Sequence, residues 1–257
     1  MAPAPTPARL NQTALYRILV LSLVGVAVGT GASLAAIGFV EALTWLNDLL
    51  LVSPYARIQY ETQPGLVTAA TILVPGLGGL LVGLLVRYGV KERRGLAPPD
   101  TIYAVQTRTR PPSLRSGLAS TTAALVSLGA GASVGQYGPL VHLGAMLGNL
   151  AARLKLGVRN LQPVALACGV AAAISTAFNA PIAGLVFAHE VILRHYSLRA
   201  FAPVTVASAT GYVFANVIFE RPALFLVSFD GVPHSYEFVL FALVGVASAL
   251  LACAFMA

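Results

Sequence analysis

Charge is what this 257-residue chain most lacks: 10% of it is Asp, Glu, Lys or Arg, against 57% hydrophobic residues and a mean hydropathy of +0.80. So little polar surface cannot cover a water-soluble globule of this size, and a polytopic membrane protein is expected. Cysteine is scarce too. Cys168 and Cys253 both fall in apolar stretches without metal-ligand spacing, which argues against a disulfide or a zinc site and for small buried side chains. No nucleophile–base set, metal cluster or phosphate loop stands out, so no enzyme activity, catalytic residue, metal or cofactor is expected. The formal charge of +7 comes from basic residues in short clusters between apolar spans, not along one face or in a tail. They fit topology signals and not a nucleic-acid partner.

Residues 1–14 are expected to be a short cytoplasmic tail, because the Pro/Ala-rich Met1 to Asn11 carries one arginine and the apolar run behind it is too long for a signal-peptide core. From Leu15 to Leu46 a helical pattern exceeds the roughly 20 residues of a straight span, so it must tilt or overhang. A return span is expected over Gly65 to Val86, with Gly76, Gly78, Gly79 and Gly83 forming a small-residue face. The polar segment Asn47 to Gln63 carries only Arg57, whereas Arg87 to Arg115 also holds Lys91, Arg93, Arg94, Arg108 and Arg110. The second segment and the N-terminus are therefore placed on the cytoplasmic side.

Leu114 to Leu128 is short for a crossing, and so are Leu161 to Thr176 and Pro181 to Leu193, which are broken by Phe178-Asn-Ala-Pro181. Interrupted helices at membrane depth are tolerated where loose backbone lines a cavity, and in transporters they mark the binding site. Arg194, His195 and Arg199 suit a cytoplasmic turn, Phe201 to Phe219 an outward span, and Glu220 to Glu237, with Arg221 alone, an external loop. Arg153, Lys155 and Arg159 fall where this alternation expects an outside turn; the role they suggest is attracting anions to an outer mouth. The last apolar run, Phe238 to Ala257, stops without a polar cap, so further sequence is expected to belong to the functional protein.

The stretch Gly129 to Asn149 runs from a glycine-rich connection into an apolar helical pattern with Leu140, Leu143 and Leu147. Gly135 and Gly138 allow close backbone approach, and Pro139 suits a first helical turn. Two readings stand: a buried helix N-terminus whose N–H groups and dipole hold an anion, or a glycine hinge between packed spans.

Gly135-Gln-Tyr-Gly-Pro139, with Gly144 beyond it, and Ala177-Phe-Asn-Ala-Pro-Ile-Ala-Gly-Leu-Val-Phe187, with Glu190, resemble the CLC family of chloride channels and chloride/proton exchangers. The second motif is the more specific, since its eleven ordered residues differ from the family pattern only by like-for-like apolar changes. The likeness covers residues of about 15 to 257. It implies an all-α polytopic membrane protein of tilted and broken transmembrane helices, the first half of a CLC-type inverted repeat. It implies also a homodimer in the lipid bilayer of a bacterial-type inner or plasma membrane, with one pathway per subunit for chloride or a similar small anion. The second half of such a repeat supplies a further helix N-terminus and a tyrosine hydroxyl, without which this chain does not complete a pore.

Departures from the family pattern carry the functional reading. Gln136-Tyr137 stands where family members usually have Arg-Glu, and that glutamate is the gate that competes with chloride and carries protons in exchangers. A phenol, with a reference pKa of about 10, stays neutral at physiological pH and does neither. The exchangers' inner glutamate position falls on Val191, while Glu190 matches its more widely shared neighbour and remains the inner carboxylate candidate. Gly95-Leu-Ala-Pro-Pro-Asp100 resembles the family's serine-bearing anion turn, with Leu96 in place of the serine and with Pro98 and Pro99 lacking N–H groups. The expected site is thus Tyr137 as gate and Gly135, Gln136, Tyr137, Gly138, Leu96 and Ala97 as the anion-binding backbone. Against this, Tyr137 can be an aromatic packed at a helix start, and Glu190 a structural carboxylate paired with Arg194. His142 and His189 read as satisfied core histidines, and Arg108 with Arg110 as a topology signal. The function expected is a passive, proton-uncoupled anion channel. The alternatives are a non-conducting scaffold plugged by Tyr137, or an exchanger using other proton carriers.

Overall fold

A computed structural model describes residues 7–50, 64–107, 109, 113–154, 161–220 and 234–256. Part of the expected tail and Arg57, Arg108, Arg110, Lys155, Arg159 and Arg221 lie outside the described residues. Among those described, all regular structure is helical: α1 (Pro7–Leu50), α2 (Pro64–Gly89), α3 (Pro98–Thr107), α4 (Leu114–Gly129) and α5 (Tyr137–Ala152) come first. They are followed by α6 (Leu161–Phe178), α7 (Pro181–Phe187) with a π-turn over Ala188–Leu193, α8 (Leu198–Val213) with a π-turn over Phe214–Ile218, and α9 (Glu237–Met256). Five segments are long and apolar enough to cross a membrane by length and composition: Tyr16–Leu50, Thr68–Gly89, Leu161–Phe178, Leu198–Ile218 and Glu237–Phe255. The chain is an integral membrane protein.

Several expectations change, among them that of a segment too short to cross at Leu161 to Thr176, since the helix there runs 18 residues to Phe178 and is long enough to span. The first helix begins at Pro7, within the expected tail, and its 44 residues extend on the order of 66 Å, about twice a bilayer's hydrocarbon thickness. The segment Arg87 to Arg115, read as a basic loop, contains α3. Pro98 and Pro99 open that helix, where a missing N–H costs nothing, and Asp100 in the first turn suits the helix dipole.

The chain divides into two units, Met1–Pro222 and Ala223–Ala257. In the second, α9 is apolar all round, with a mean hydropathy of 2.6 over its span, and Cys253 on it is exposed rather than buried as expected. In the first, α6 is the central helix, and fourteen of its residues, from Leu161 to Thr176, are buried. They are mostly Ala, Gly, Val, Cys, Ser and Thr, so neighbouring backbones come close enough to touch. A Cβ added at Gly148 would overlap the Ala165 carbonyl oxygen and stand 2.7 Å from Leu166 Cα, so α5 crosses α6 almost backbone to backbone. On the other side, a Cβ at Gly25 of α1 would sit 2.6 Å from the Pro203 carbonyl oxygen of α8. α7 approaches α6 just as closely, since a Cβ at Gly184 would stand 2.5 Å from the Ala171 carbonyl oxygen.

The C-terminal end of α6 is fixed by hydroxyls. Thr176 Oγ1 lies 2.9 Å from Ser33 Oγ of α1 and 3.1 Å from the Gly211 carbonyl of α8. Ser175 Oγ donates to the Ser208 carbonyl (2.7 Å), and Ser208 Oγ donates to the Pro181 carbonyl at the start of α7 (2.6 Å). Each of these four buried hydroxyls has a partner, as burial in an apolar interior requires.

Candidate functional site

The glycine-rich connection before α5 turns tightly because Gly131 and Gly135 take positive φ values of 100° and 74°, a region that costs other residues a Cβ clash. Gln136 then enters the helical region at φ −87°, ψ −6°, and no side chain caps the helix that starts at Tyr137. Pro139 removes one N–H from the first turn, and the Leu140 N–H returns to the Gln136 carbonyl (3.2 Å). What remains at this end is an uncapped helix start carrying partial positive charge, with Tyr137 38% exposed beside it.

The second motif meets the first here. The Tyr137 ring stands edge-on to Phe187, the last residue of α7, with centroids 5.5 Å apart and planes at 88°. That geometry is favourable for two aromatic quadrupoles. The α7 start is likewise without a side-chain cap, and it is set by Asn179 in the left-handed region (φ 53°), whose amide pairs with that of Asn216 through a 2.9 Å hydrogen bond from Asn179 Nδ2 to Asn216 Oδ1. The third sequence element reaches the same place. A Cβ at Gly138 would lie in ordinary contact with Pro98, 3.6 Å from its Cδ, so the Gly95-to-Asp100 turn sits against the start of α5.

The backbone of that turn is already engaged. The Leu96 N–H donates to Ser120 Oγ on α4 (2.8 Å), and the Ala97 N–H donates to Asp100 Oδ2 (2.8 Å). Arg94 closes the turn from outside: Nη1 donates to Asp100 Oδ2 (3.0 Å) and Nη2 makes a short contact with Oδ1. The Arg94 hydrogen bond, with help from the Ala97 N–H and the Arg94 charge, holds the Asp100 carboxyl below the usual carboxylate range despite partial burial. Of the expected anion-binding backbone, then, Gly135, Gln136, Tyr137 and Gly138 form one uncapped end. Leu96 and Ala97 are adjacent to it with their N–H groups committed to protein oxygens.

Glu190 lies apart, exposed, on the π-turn that follows α7. In place of the expected Arg194 pairing, its Oε1 accepts a hydrogen bond from the Tyr196 hydroxyl (3.0 Å), and Arg194 takes a left-handed conformation (φ 57°) that ends the turn. The histidine expectation also needs correcting. His142 and His189 are buried, but neither ring nitrogen of His142 has a partner. His189 Nδ1 lies 3.0 Å from the His195 carbonyl while its Nε2 is unpaired. Sequence reasoning missed Ser120, Arg94 and Asp100 as the groups that shape the turn. The Ala97-Pro-Pro-Asp100 order carried a signal for the last, since an acid three residues into a helix start commonly caps it.

A family model described as voltage gated chloride channel matches residues 78–257. A putative chloride channel protein ClcB-like of Ralstonia nicotianae (strain ATCC BAA-1114 / GMI1000) is 33% identical over 219 residues, covering 82% of this chain and 48% of that protein. The voltage-gated ClC-type chloride channel ClcB of Escherichia coli (strain K12) is 29% identical over 218 residues, 81% of this chain and 49% of its own. Its counterpart in Escherichia coli O81 (strain ED1a) is 30% identical over 217 residues, again 81% and 49%. The chain spans about half the length of the curated relatives it matches.

Proposed function

The chain belongs to the voltage-gated chloride channel family, and on that premise we propose that it provides the first inverted half of a passive, proton-uncoupled pathway for chloride or a similar small anion. In this reading it works as a homodimer in a bacterial-type inner or plasma membrane with its N-terminus cytoplasmic. Tyr137 is the gate, and the N–H groups at the start of α5 hold the anion.

One observation carries the proposal: the residue at the uncapped, glycine-approached start of α5 is a neutral phenol and not a carboxylate. A carboxylate there would compete with chloride when ionised and release the path when protonated, tying anion movement to protons. A phenol at physiological pH does neither, so at Tyr137 itself a proton finds no group to switch. Val191 at the inner position likewise offers no proton carrier.

A second reading, a non-conducting scaffold, is favoured by two contacts. The Tyr137 ring is docked on Phe187, and the Leu96 and Ala97 N–H groups that would otherwise meet an anion are bonded to Ser120 and Asp100. Anion efflux from proteoliposomes distinguishes the readings. Substantial flux through the unaltered protein, with a reversal potential indifferent to a proton gradient, supports the uncoupled pathway. Flux that appears only in Tyr137→Ala identifies a plug, and a reversal potential that follows the proton gradient identifies an exchanger with other proton carriers.

A further inference from the structure

His142 lies on the inner face of α5, only 4% exposed, with both ring nitrogens unpaired. It fronts a small cavity between α3, α4, α5 and α6 whose lining includes Thr101, Ser113, Gly117, Met146 and Asn149. A neutral imidazole carries one donor and one acceptor, and leaving either unmet in an apolar interior costs about 1–3 kcal/mol. The surrounding groups are hydroxyls and an amide, which donate and accept alike. The space is on the order of a single water in size, and within a lining otherwise made of Gly117, Ala145, Met146 and Leu166 the side chains of His142, Thr101, Ser113 and Asn149 offer the two to four polar partners that a buried water needs. Gly117 keeps it open: a Cβ there would stand 3.2 Å from His142 Nε2 and 2.8 Å from Met146 Sδ. Ser113, at the N-cap of α4, is exposed and gives the cavity a wet end.

We propose that His142 is a proton-binding site reached from bulk water past Ser113, and that its charge sets the anion occupancy of the α5 start. The acceptor nitrogen takes a proton from hydronium, one O–H bond breaking and one N–H bond forming, and water is left in the cavity to accept from the imidazolium. The charged groups around it are few. From α3 the Asp100 carboxylate is near enough to sense the ring's charge. Arg115 of α4 is exposed at that helix's first turn, α6 brings only the buried Cys168, and α1 brings Glu41, between the Val40 and Leu43 that pack against the Leu140, Leu143 and Met146 face of α5, with Asp48 seven residues further on. Nothing ionised on α5 opposes the new charge. An imidazolium therefore adds positive potential behind the same helix whose N-terminus carries Tyr137, and Asp100, itself paired with Arg94, is a counter-charge to it.

The effect on anions rests on the pathway reading above, whereas the proton site does not, and two measurements keep them apart. Hydrogen–deuterium exchange at histidine C2, followed residue by residue by mass spectrometry on the whole protein in lipid nanodiscs across the pH range in which the fold persists, should give His142 a resolved titration. Asp100→Asn should move the His142 midpoint to lower pH. A flat His142 profile, or a midpoint indifferent to Asp100→Asn, overturns the site. Anion efflux from proteoliposomes over the same range should rise at least several-fold toward acid pH in the unaltered protein and lose that dependence in His142→Gln. PH-dependent flux preserved in His142→Gln refutes the control of anion occupancy. Absence of flux at any pH, with His142 still titrating, refutes the pathway reading and leaves the proton site supported.

Discussion

Replacing Gly169 by alanine would put a methyl group onto the backbone of another helix. Its Cβ would overlap the Gly144 carbonyl oxygen, stand 2.7 Å from that carbonyl's carbon and 3.3 Å from the Gly148 nitrogen. The reciprocal change, Gly144→Ala, would overlap the Gly169 carbonyl oxygen and leave 2.7 Å to its carbon and 3.0 Å to Ala173 Cβ. The obstacles are mainly backbone atoms with no rotamer to turn away, so relief requires α5 and α6 to separate by on the order of 1 Å, a gap that forfeits a quarter to a half of the dispersion energy along the crossing. Overpacking a tight core costs about 1–3 kcal/mol and sometimes more, and the rigidity of this contact puts Gly169→Ala at about 3 kcal/mol. Once the helices have moved apart for one methyl, the other meets less resistance, so the double variant should lose at least about 1 kcal/mol less than the sum. Gly76→Ala on α2 is the control. Nothing lies within 4 Å of its Cβ, and higher helix propensity should leave it neutral or up to about 1 kcal/mol more stable. Equilibrium unfolding in mixed micelles, read by helical circular dichroism, measures the four variants against the unaltered protein. The reasoning fails if Gly169→Ala unfolds with the Gly76→Ala control, or if the two crossing substitutions add fully.

Asp100 gives the fold an acid-labile component. Its folded-state pKa is depressed, so the stability it contributes is complete above the unfolded value of about 4 and is lost as pH falls through the folded value. Asp100→Asn should therefore lower the thermal midpoint at neutral pH and flatten its decline below about pH 4, an effect that salt weakens because Arg94 is 60% exposed; a pH series of unfolding midpoints at two ionic strengths decides it. Ser120→Ala leaves the buried Leu96 N–H without its acceptor and should cost about 1–3 kcal/mol. If that N–H faces the anion pathway, chloride will raise the unfolding midpoint of Ser120→Ala more than that of the unaltered protein, and equal chloride shifts exclude Leu96 from the site.

Much of this was legible in the chain because it is written in short-range signals. Glycines and prolines mark the breaks around α5 and α7, and the apolar runs place the spans to within a few residues. The small residues of α6 announce a tightly packed helix. α3 was missed although its signal was local: Pro98, Pro99 and Asp100 were weighed for the N–H groups they lack, and that obscured their aptitude for starting a helix. Other features had no local signal at all. Leu96 and Ser120 are 24 positions apart, and Thr176 meets Ser33 across 143, so only the folded chain assigns those partners. The same holds for His142, whose lack of partners depends on Gly117 and Thr101 from two other helices. An imidazole on an apolar face reads as satisfied until its surroundings are known.

The glycine and alanine crossings where α5 and α7 meet α6 give the bundle directional mechanics. Alanine and glycine have almost no rotamer freedom to surrender or exchange, so the contacts between α5, α6 and α7 are as stiff as van der Waals radii and resist any change in spacing. Shallow ridges of that kind oppose lengthwise sliding much less, since there is little to interlock. Register must then be kept elsewhere, and the hydroxyls of Ser33, Ser175, Thr176 and Ser208 act as detents at one end of the bundle. A shift of α6 along its axis would slide past the helices that carry Tyr137 and Phe187 without opening the core, and those four hydroxyls are what such a stroke has to release.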